Sequence, residues 1–277
     1  MPDAGLITGV LAALFGLLIG SFLNVCIHRW PEDQSVVAPR SRCPGCEHLI
    51  AWYDNIPVLS WLVLRARCRH CGCPISWRYP LVELLTAVCF GWFGAHLGLT
   101  PAAAKYCLFA AMLIGLLFSD LETLLLPDQF TIGGFFLGLA LAPVVAVPDS
   151  TFRLLAALAG FSVPPRVSSL GEALLGGVVP AGTLWLLGWL FEKLRHKEGL
   201  GFGDVKMIAM VGAFLGLRGA LLTVILGSVA GSVIGLVYIK ATRRDAGEYQ
   251  LPFGAFLGAA GIAVAMSGQE WYWSLFN

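Results

Sequence analysis

The sequence predicts an all-α polytopic membrane protein with about eight transmembrane helices and one small loop domain after the first of them. Three observations support this fold class. Of the 277 residues, 57% are hydrophobic and only 13% are charged, which is far more apolar than a soluble globular chain. The mean hydropathy is +0.78. Apolar runs recur along the chain, and the only long polar stretch contains paired cysteines.

The apolar runs define the predicted helices, because a helix that crosses a bilayer needs about 20 mostly apolar residues. The sixth run has about 13 residues, so it is expected to be tilted, extended by its glycine-rich entry or partly re-entrant. The first run lacks a basic start and a small-residue cleavage site, which indicates a retained helix rather than a signal peptide. The eight predicted segments are Gly5–Ile27, Leu81–Leu97, Ala102–Ser119, Phe130–Val147, Glu172–Phe191, Val205–Leu217, Gly219–Ile239 and Pro252–Met266.

The basic residues predict the orientation, because cytoplasmic loops carry an excess of Lys and Arg. If the first helix starts outside, loops 28–80, 192–206 and 240–251 lie in the cytoplasm with 14 of the 18 Lys and Arg residues. The opposite orientation would leave four basic residues inside. A net charge of +1 without a basic tail does not favour a nucleic-acid partner.

Paired cysteines in the polar loop predict a structural zinc site. The pairs Cys43/Cys46 and Cys68/Cys71 each have two intervening residues, and about twenty residues separate them. Four thiolates form the closed tetrahedral shell of such sites, and a loop of about fifty residues is too small to fold on its own core. Two disulfides are the alternative, but cytoplasmic thiols stay reduced. Cys73 is a second candidate for the fourth ligand; Cys26, Cys89 and Cys107 fit buried positions in apolar runs.

Acidic residues at predicted cytoplasmic helix ends form the second candidate site. Asp128 and Asp204 precede helices, where capping of free backbone amides explains an aspartate. Asp120 instead closes a helix, where the helix dipole disfavours an anion, so a functional role is favoured. Two adjacent carboxylates share a proton and can hydrolyse a peptide bond, one activating water and the other protonating the carbonyl. No Ser-His-Asp set or HExxH motif offers another protease mechanism.

Glu83 is predicted to lie in the first turn of the second helix. A carboxylate there is explained either by the favourable charge at a helix N-terminus or by a role in a site, since ionisable groups in membrane spans usually mark function. The sequence leaves both interpretations open.

Taken together, the motifs resemble those of the type IV prepilin peptidases, a family of GxGD aspartic proteases. The likeness covers nearly the whole chain and includes the four-cysteine loop. The matching motifs are Gly20-Ser21-Phe22-Leu23-Asn24-Val25 leading to Arg29-Trp30-Pro31, Asp54-Asn55-Ile56-Pro57, Tyr79-Pro80-Leu81-Val82-Glu83, Leu126-Pro127-Asp128 and Gly201-Phe202-Gly203-Asp204-Val205-Lys206. In that family the catalytic aspartates precede the Leu-Pro-Asp motif and end the GxGD motif, which implies Asp120 and Asp204 here.

The resemblance implies a multi-pass protein of the bacterial inner membrane that cleaves the basic leader from type IV prepilins and type II secretion pseudopilins after a glycine. It also implies N-methylation of the new terminus by S-adenosylmethionine, since the cysteine loop is typical of bifunctional members. Glu83 or Asp54 is then a candidate to accept the proton of the amine. The alternatives are a GxGD membrane protease without methylation and a zinc-bearing scaffold or transporter subunit in which both aspartates are helix caps.

The resulting domain prediction has three parts. Residues 1–28 form the first transmembrane helix, residues 29–80 form the cytoplasmic zinc-binding domain and residues 81–277 form the transmembrane protease core. The outer segment Pro148–Leu170 is longer than the corresponding connection in the family, so an interaction outside the membrane stays open.

Overall fold

The computed structural model describes residues 2–196, 200–242 and 251–267, and these residues form helices whose longest connection is the cysteine loop between α1 and α3. Their only strand-like pairings are two isolated bridges in the cysteine loop, Arg42 with Leu49 and Arg67 with Pro74. Three basic residues of the loops counted in the charge pattern, Lys197, Arg243 and Arg244, lie outside the described residues. The helices are α1 (Pro2–Arg29), α2 (Leu59–Val63), α3 (Arg78–Leu97), α4 (Pro101–Thr123), α5 (Asp128–Leu141), α6 (Thr151–Leu158), α7 (Pro165–Arg195), α8 (Phe202–Thr242) and α9 (Phe253–Ser267).

Five of the described helices, α1, α3, α4, α7 and α8, are long and apolar enough to cross a membrane. Helices α5 and α9 are apolar but shorter. The all-α membrane class is thus confirmed, whereas the count of about eight spans stays a prediction. The sixth and seventh predicted segments meet within α8, which consists of two helical parts joined across a kink at Gly216, where φ is 78°. A positive φ is accessible to glycine at little cost.

The chain divides into two compact units, Met1–Phe118 and Ser119–Asn277. In the first unit α1 packs against α3 through small residues. A Cβ atom on Gly20 would lie 2.6 Å from Glu83 Cα, and one on Gly16 would lie 2.9 Å from Ala87 Cα. Small residues let helix backbones approach closely in a membrane. The α1–α3 contact therefore fixes the ends of the cysteine loop, which connects these two helices.

In the second unit α8 is the central helix, with α5, α7 and α9 packed against it. Its contact with α7 is closest at Gly212, where a Cβ atom would overlap the backbone of Gly176. This contact sets the position of the first half of α8, which begins beside the GxGD motif.

We expect Gly212→Ala to lower the melting temperature of the purified protein. The added methyl group forces the α7 and α8 backbones apart, and overpacking of this kind costs about 1–3 kcal/mol. Gly182→Ala on α7 is the matched control, because a Cβ atom there meets nothing within 4 Å. The control should hold or raise the melting temperature, since alanine favours helix over glycine. Equal melting temperatures for the two variants would contradict the close α7–α8 contact.

Segment 148–170 belongs to the second unit and contains α6. Glu172 is buried and accepts hydrogen bonds from the backbone amides of Phe152 (2.9 Å) and Arg153 (3.0 Å). These amides belong to the first turn of α6, where intrahelical acceptors are lacking. Asp149 accepts a hydrogen bond from the amide of Arg218 (3.0 Å), just beyond the interruption in α8. The segment therefore ties α6, α7 and α8 together.

Candidate active site and metal centre

Asp120 lies in the last turn of α4 and is buried. Its Oδ2 atom accepts a hydrogen bond from the amide of Ala255 (2.8 Å) and a further one from the amide of Gly254. Both amides are in the first turn of α9 and have no acceptor within their own helix. The N-terminal end of α9 thus compensates for the unfavourable position of an anion at the C-terminal end of α4.

Asp204 lies in the first turn of α8 and is also buried. Its charge and that of Asp120 are close enough for a direct electrostatic interaction. Among the described residues, no hydrogen-bond donor is assigned to the Asp204 carboxylate. The two predicted aspartates therefore lie in the same unit and interact electrostatically, and of the two only Asp120 is held by backbone amides among the described residues.

Leu126 packs between the backbones beside the two aspartates. Its Cδ1 atom would lie 3.1 Å from a Cβ atom on Gly203 and 3.0 Å from one on Gly254. Gly203 precedes Asp204, and Gly254 supplies an amide to Asp120. The absence of side chains at both glycines allows one leucine to contact both walls of the site.

The turn at Gly254 and Ala255 was not identified from the sequence. A signal was present, because Pro252 is the first residue of the last apolar segment and proline is common where helices begin. The first amides of any helix seek acceptors outside it. Which acceptor they find depends on helix packing, and the distance in sequence from Asp120 to Ala255 is 135 residues.

Asp128 forms an ion pair with Lys206. It is the first residue of α5, and the N-cap position is held by Pro127, so the structure favours the ion pair over N-capping as the explanation for this residue. Asp204 is likewise not an N-cap, because α8 begins two residues earlier, at Phe202. The ion pair joins α5 to the helix turn that carries Asp204.

The four predicted metal ligands, Cys43, Cys46, Cys68 and Cys71, converge in the loop of the first unit. Their sulfur atoms all lie within 4.8 Å of one another, and the Cys43 and Cys71 sulfurs are 3.7 Å apart. Tetrahedral coordination at a Zn–S distance of about 2.3 Å requires sulfurs about 3.8 Å apart. The donor set and its spacing therefore fit a zinc ion.

Backbone hydrogen bonds shape each cysteine pair into a turn. The amide of Glu47 donates to the carbonyl of Cys43 (2.8 Å), and the amide of Gly72 donates to that of Cys68 (3.0 Å). The turns hold the sulfurs on one side of the chain. All eight cysteines are free thiols, so the geometry does not favour the disulfide alternative. Cys26, Cys89 and Cys107 are buried, as predicted.

Cys73 adds a fifth sulfur to this cluster, 3.3 Å from the Cys43 sulfur. Hydrogen bonding with Cys73 is the main cause that lowers the pKa of Cys43 to about 6. Cys43 therefore reaches the thiolate form, which is the form that binds metals, near neutral pH.

Glu83 lies in the second turn of α3 rather than the first, because the helix begins at Arg78. The helix-terminus explanation for this carboxylate is therefore wrong. Its Oε2 atom accepts a hydrogen bond from the amide of Val58 (2.7 Å), and Ser21 on α1 donates a second one. Val58 has a φ of 60°, which is unfavourable for a β-branched residue. Glu83 thus anchors the cysteine loop to α1 and α3 at a strained position.

Asp54 has a different partner in the same unit. Arg69 donates to both of its oxygens, from Nε at 2.8 Å and from Nη2 at 2.6 Å. This bidentate interaction holds the pKa of the Asp54 carboxyl below its ordinary range. Arg69 follows the metal-ligand candidate Cys68, so the ion pair links the Asp54 turn to the second cysteine pair. No hydrogen bond among the described residues joins the carboxylates of Asp54 and Glu83.

Comparison with known proteins identifies two family matches. Residues 14–97 match the Bacterial Peptidase A24 N-terminal domain, and residues 107–236 match the Type IV leader peptidase family. No solved structure is significantly similar to the chain.

Among its relatives, several curated proteins carry the name prepilin leader peptidase/N-methyltransferase. The one from Aeromonas hydrophila is 38% identical over 96% of this chain and 94% of its own length. The one from Stutzerimonas stutzeri is 36% identical over 94% and 90%, respectively. The one from Myxococcus xanthus is 41% identical over 87% of this chain, and the match spans 66% of that relative.

Proposed function

Since the chain belongs to the type IV leader peptidase family, we propose that it cleaves the basic leader from type IV prepilins and type II secretion pseudopilins and N-methylates the new terminus. The observation that carries this proposal is that one side chain, Leu126, packs against Gly203, which precedes Asp204, and against Gly254, whose amide donates to Asp120. The names of the relatives support a methyltransferase activity beside the peptidase. They do not favour a GxGD protease that lacks it.

Peptide hydrolysis by this pair needs one ionised and one protonated carboxylate. Amide donors stabilise the ionised form of a carboxylate, and of the two aspartates only Asp120 has such donors among the described residues. We therefore assign activation of the attacking water to Asp120 and protonation of the scissile carbonyl to Asp204. Their proximity lets one proton be shared while the two roles alternate.

The proposed topology has eight crossings and a cytoplasmic active site, in the bacterial inner membrane. The five long helices, the two shorter apolar helices and the interruption of α8 at Gly216 are compatible with this count. Positive loop charge supports the sidedness. A prepilin inserts its hydrophobic segment into the bilayer and leaves its basic leader in the cytoplasm, so the scissile bond after the glycine meets the aspartates at the membrane surface.

Incubation of the purified protein with a prepilin and labelled S-adenosylmethionine tests the function directly. We expect a shortened pilin whose new N-terminus carries one methyl group, as measured by mass spectrometry. A shortened but unmethylated product would indicate the protease without methylation. An unprocessed prepilin would favour a scaffold or transporter subunit.

Glu83 is the stronger of the two candidates for a role in methyl transfer. S-adenosylmethionine supplies the methyl group, and the accepting amine must first lose a proton. The cation Arg69 engages both oxygens of Asp54, whereas among the described residues Glu83 accepts hydrogen bonds from neutral groups, the Val58 amide and Ser21. We therefore propose Glu83 as the proton acceptor and Asp54 as a residue that stabilises the loop.

Glu83→Gln should lower the methylation rate about 10²-fold or more, since general base catalysis contributes that much, and leave leader cleavage within about threefold. Asp54→Asn should lower both activities less. Methylation and cleavage are measured separately on the same prepilin. Because glutamine still accepts the hydrogen bond from Val58, a structural role alone would leave methylation close to normal in this variant.

The Asp128–Lys206 ion pair is expected to position Asp204 rather than to take part in chemistry. Asp128→Asn should retain substantial cleavage, reduced about tenfold or less, because a partly exposed ion pair contributes about 0.2–1 kcal/mol. The exchange Asp128→Lys with Lys206→Asp should recover part of any loss. Complete inactivity of Asp128→Asn, together with an active Asp120→Asn, would show that the catalytic pair is wrongly assigned.

A further inference from the structure

The cysteine cluster contains one sulfur more than a tetrahedral zinc site requires. Cys71 and Cys73 both lie against the first cysteine pair, at 3.7 Å and 3.3 Å from the Cys43 sulfur. A Cβ atom on Gly45 would lie 3.1 Å from the Cys73 sulfur and 3.6 Å from the Cys71 sulfur. The two sulfurs thus lie at similar distances from the Cys43 sulfur and beside the same glycine, Gly45.

The backbone keeps Cys73 at the cluster independently of any metal. The amide of Cys68 donates to the carbonyl of Cys73 (2.8 Å), which closes the second cysteine turn around Gly72. Gly72 has a φ of 72°, and a Cβ atom there would meet nothing within 4 Å. The turn therefore has room to bring either of the two flanking sulfurs towards the other three.

We propose that Cys71 and Cys73 are interchangeable fourth ligands of a zinc ion held by Cys43, Cys46 and Cys68. The inference rests on the proposed zinc site. During exchange the Zn–S bond to Cys71 breaks as the Zn–S bond to Cys73 forms, and the thiol proton of Cys73 passes to the released Cys71 sulfur. Zinc keeps four thiolates and its oxidation state. The site then survives the loss of either cysteine, although not the loss of both.

Metal content of the full-length protein tests this exchange. Wild type, Cys71→Ser and Cys73→Ser should each hold about one zinc per chain, as a closed structural site does, while the double variant should hold less than about a fifth of that. Cobalt substitution identifies the ligands. The intensity of the thiolate-to-cobalt charge-transfer bands should be unchanged in Cys71→Ser, since four sulfurs still coordinate the metal.

Three results would overturn the exchange. Loss of zinc from Cys71→Ser alone would make Cys71 the obligatory ligand. Retention of zinc by the double variant, or a charge-transfer intensity about a quarter lower in Cys71→Ser, would show that water or another group completes the shell. A wild-type protein without zinc would remove the metal site itself, which separates failure of the site from failure of the exchange.

Discussion

We expect Asp120→Asn and Asp204→Asn each to lower the rate of leader cleavage about 10³-fold or more, because each removes one half of the acid–base pair. An asparagine has nearly the same shape and keeps an oxygen that can accept the hydrogen bonds from Gly254 and Ala255. The loss would therefore come from chemistry rather than from unfolding. Cleavage of a purified prepilin by variants with wild-type melting temperatures measures it.

Glu122→Gln is the matched control for this pair. Glu122 lies two residues beyond Asp120 in the last turn of α4 but is exposed, so its neutralisation should leave cleavage within about twofold, as is usual for surface substitutions. If the Glu122 and Asp120 variants lost cleavage activity to the same extent, the cause would be the loss of negative charge at the end of α4 rather than the loss of a catalytic group. An active Asp204→Asn would exclude the dyad mechanism altogether.

Cys43→Ser should abolish zinc binding and unfold the cysteine loop. Structural zinc sites supply about 10–16 kcal/mol of binding free energy that is also folding free energy, and residues 29–80 have little buried core to replace it. We expect zinc to fall from about one per chain to less than about a tenth. Trypsin, which cuts after the arginines of the loop, should then cleave it within minutes under conditions in which the wild type is protected.

The two activities should respond differently to this loss. Glu83 holds the loop through Val58, and Asp54 belongs to the loop itself, whereas Asp120 and Asp204 belong to the other compact unit. Methylation should therefore fall further than cleavage. Cys89→Ala, which changes a buried cysteine of α3 outside the loop, should leave both the zinc content and protease resistance unchanged. A metal-free, fully active and protease-resistant Cys43→Ser protein would refute the structural role of zinc.

Local patterns predicted the positions that depend on neighbouring residues in sequence. The spacing of Cys43, Cys46, Cys68 and Cys71 predicted their convergence, because a two-residue separation closes into a turn by itself. The length of its apolar run likewise placed Asp120 in the last turn of a helix, which is where the structure has it.

Pairings between distant helices were beyond such patterns. Two examples are the ion pair between Asp128 and Lys206 and the hydrogen bonds from the α9 amides to Asp120. Both depend on which helices pack together, and the position of an apolar run does not predict that. The local sequence explains Asp128 by helix capping, because its partner Lys206 is 78 residues away and leaves no sign in the neighbouring residues. The predicted start of α3 also affects the interpretation of Glu83. The helix begins three residues earlier than predicted, at Arg78 rather than Leu81, so Glu83 lies in the second turn and not in the first.

The hydrogen bond from Ala255 to Asp120 also sets an order for biosynthesis. Chains emerge from the ribosome N-terminal end first, so both aspartates are synthesised before the turn that holds one of them. A nascent chain that ends before residue 253 contains the dyad without the donors that orient it. The proposed catalytic pair is therefore completed late in translation, after the preceding helices have been made.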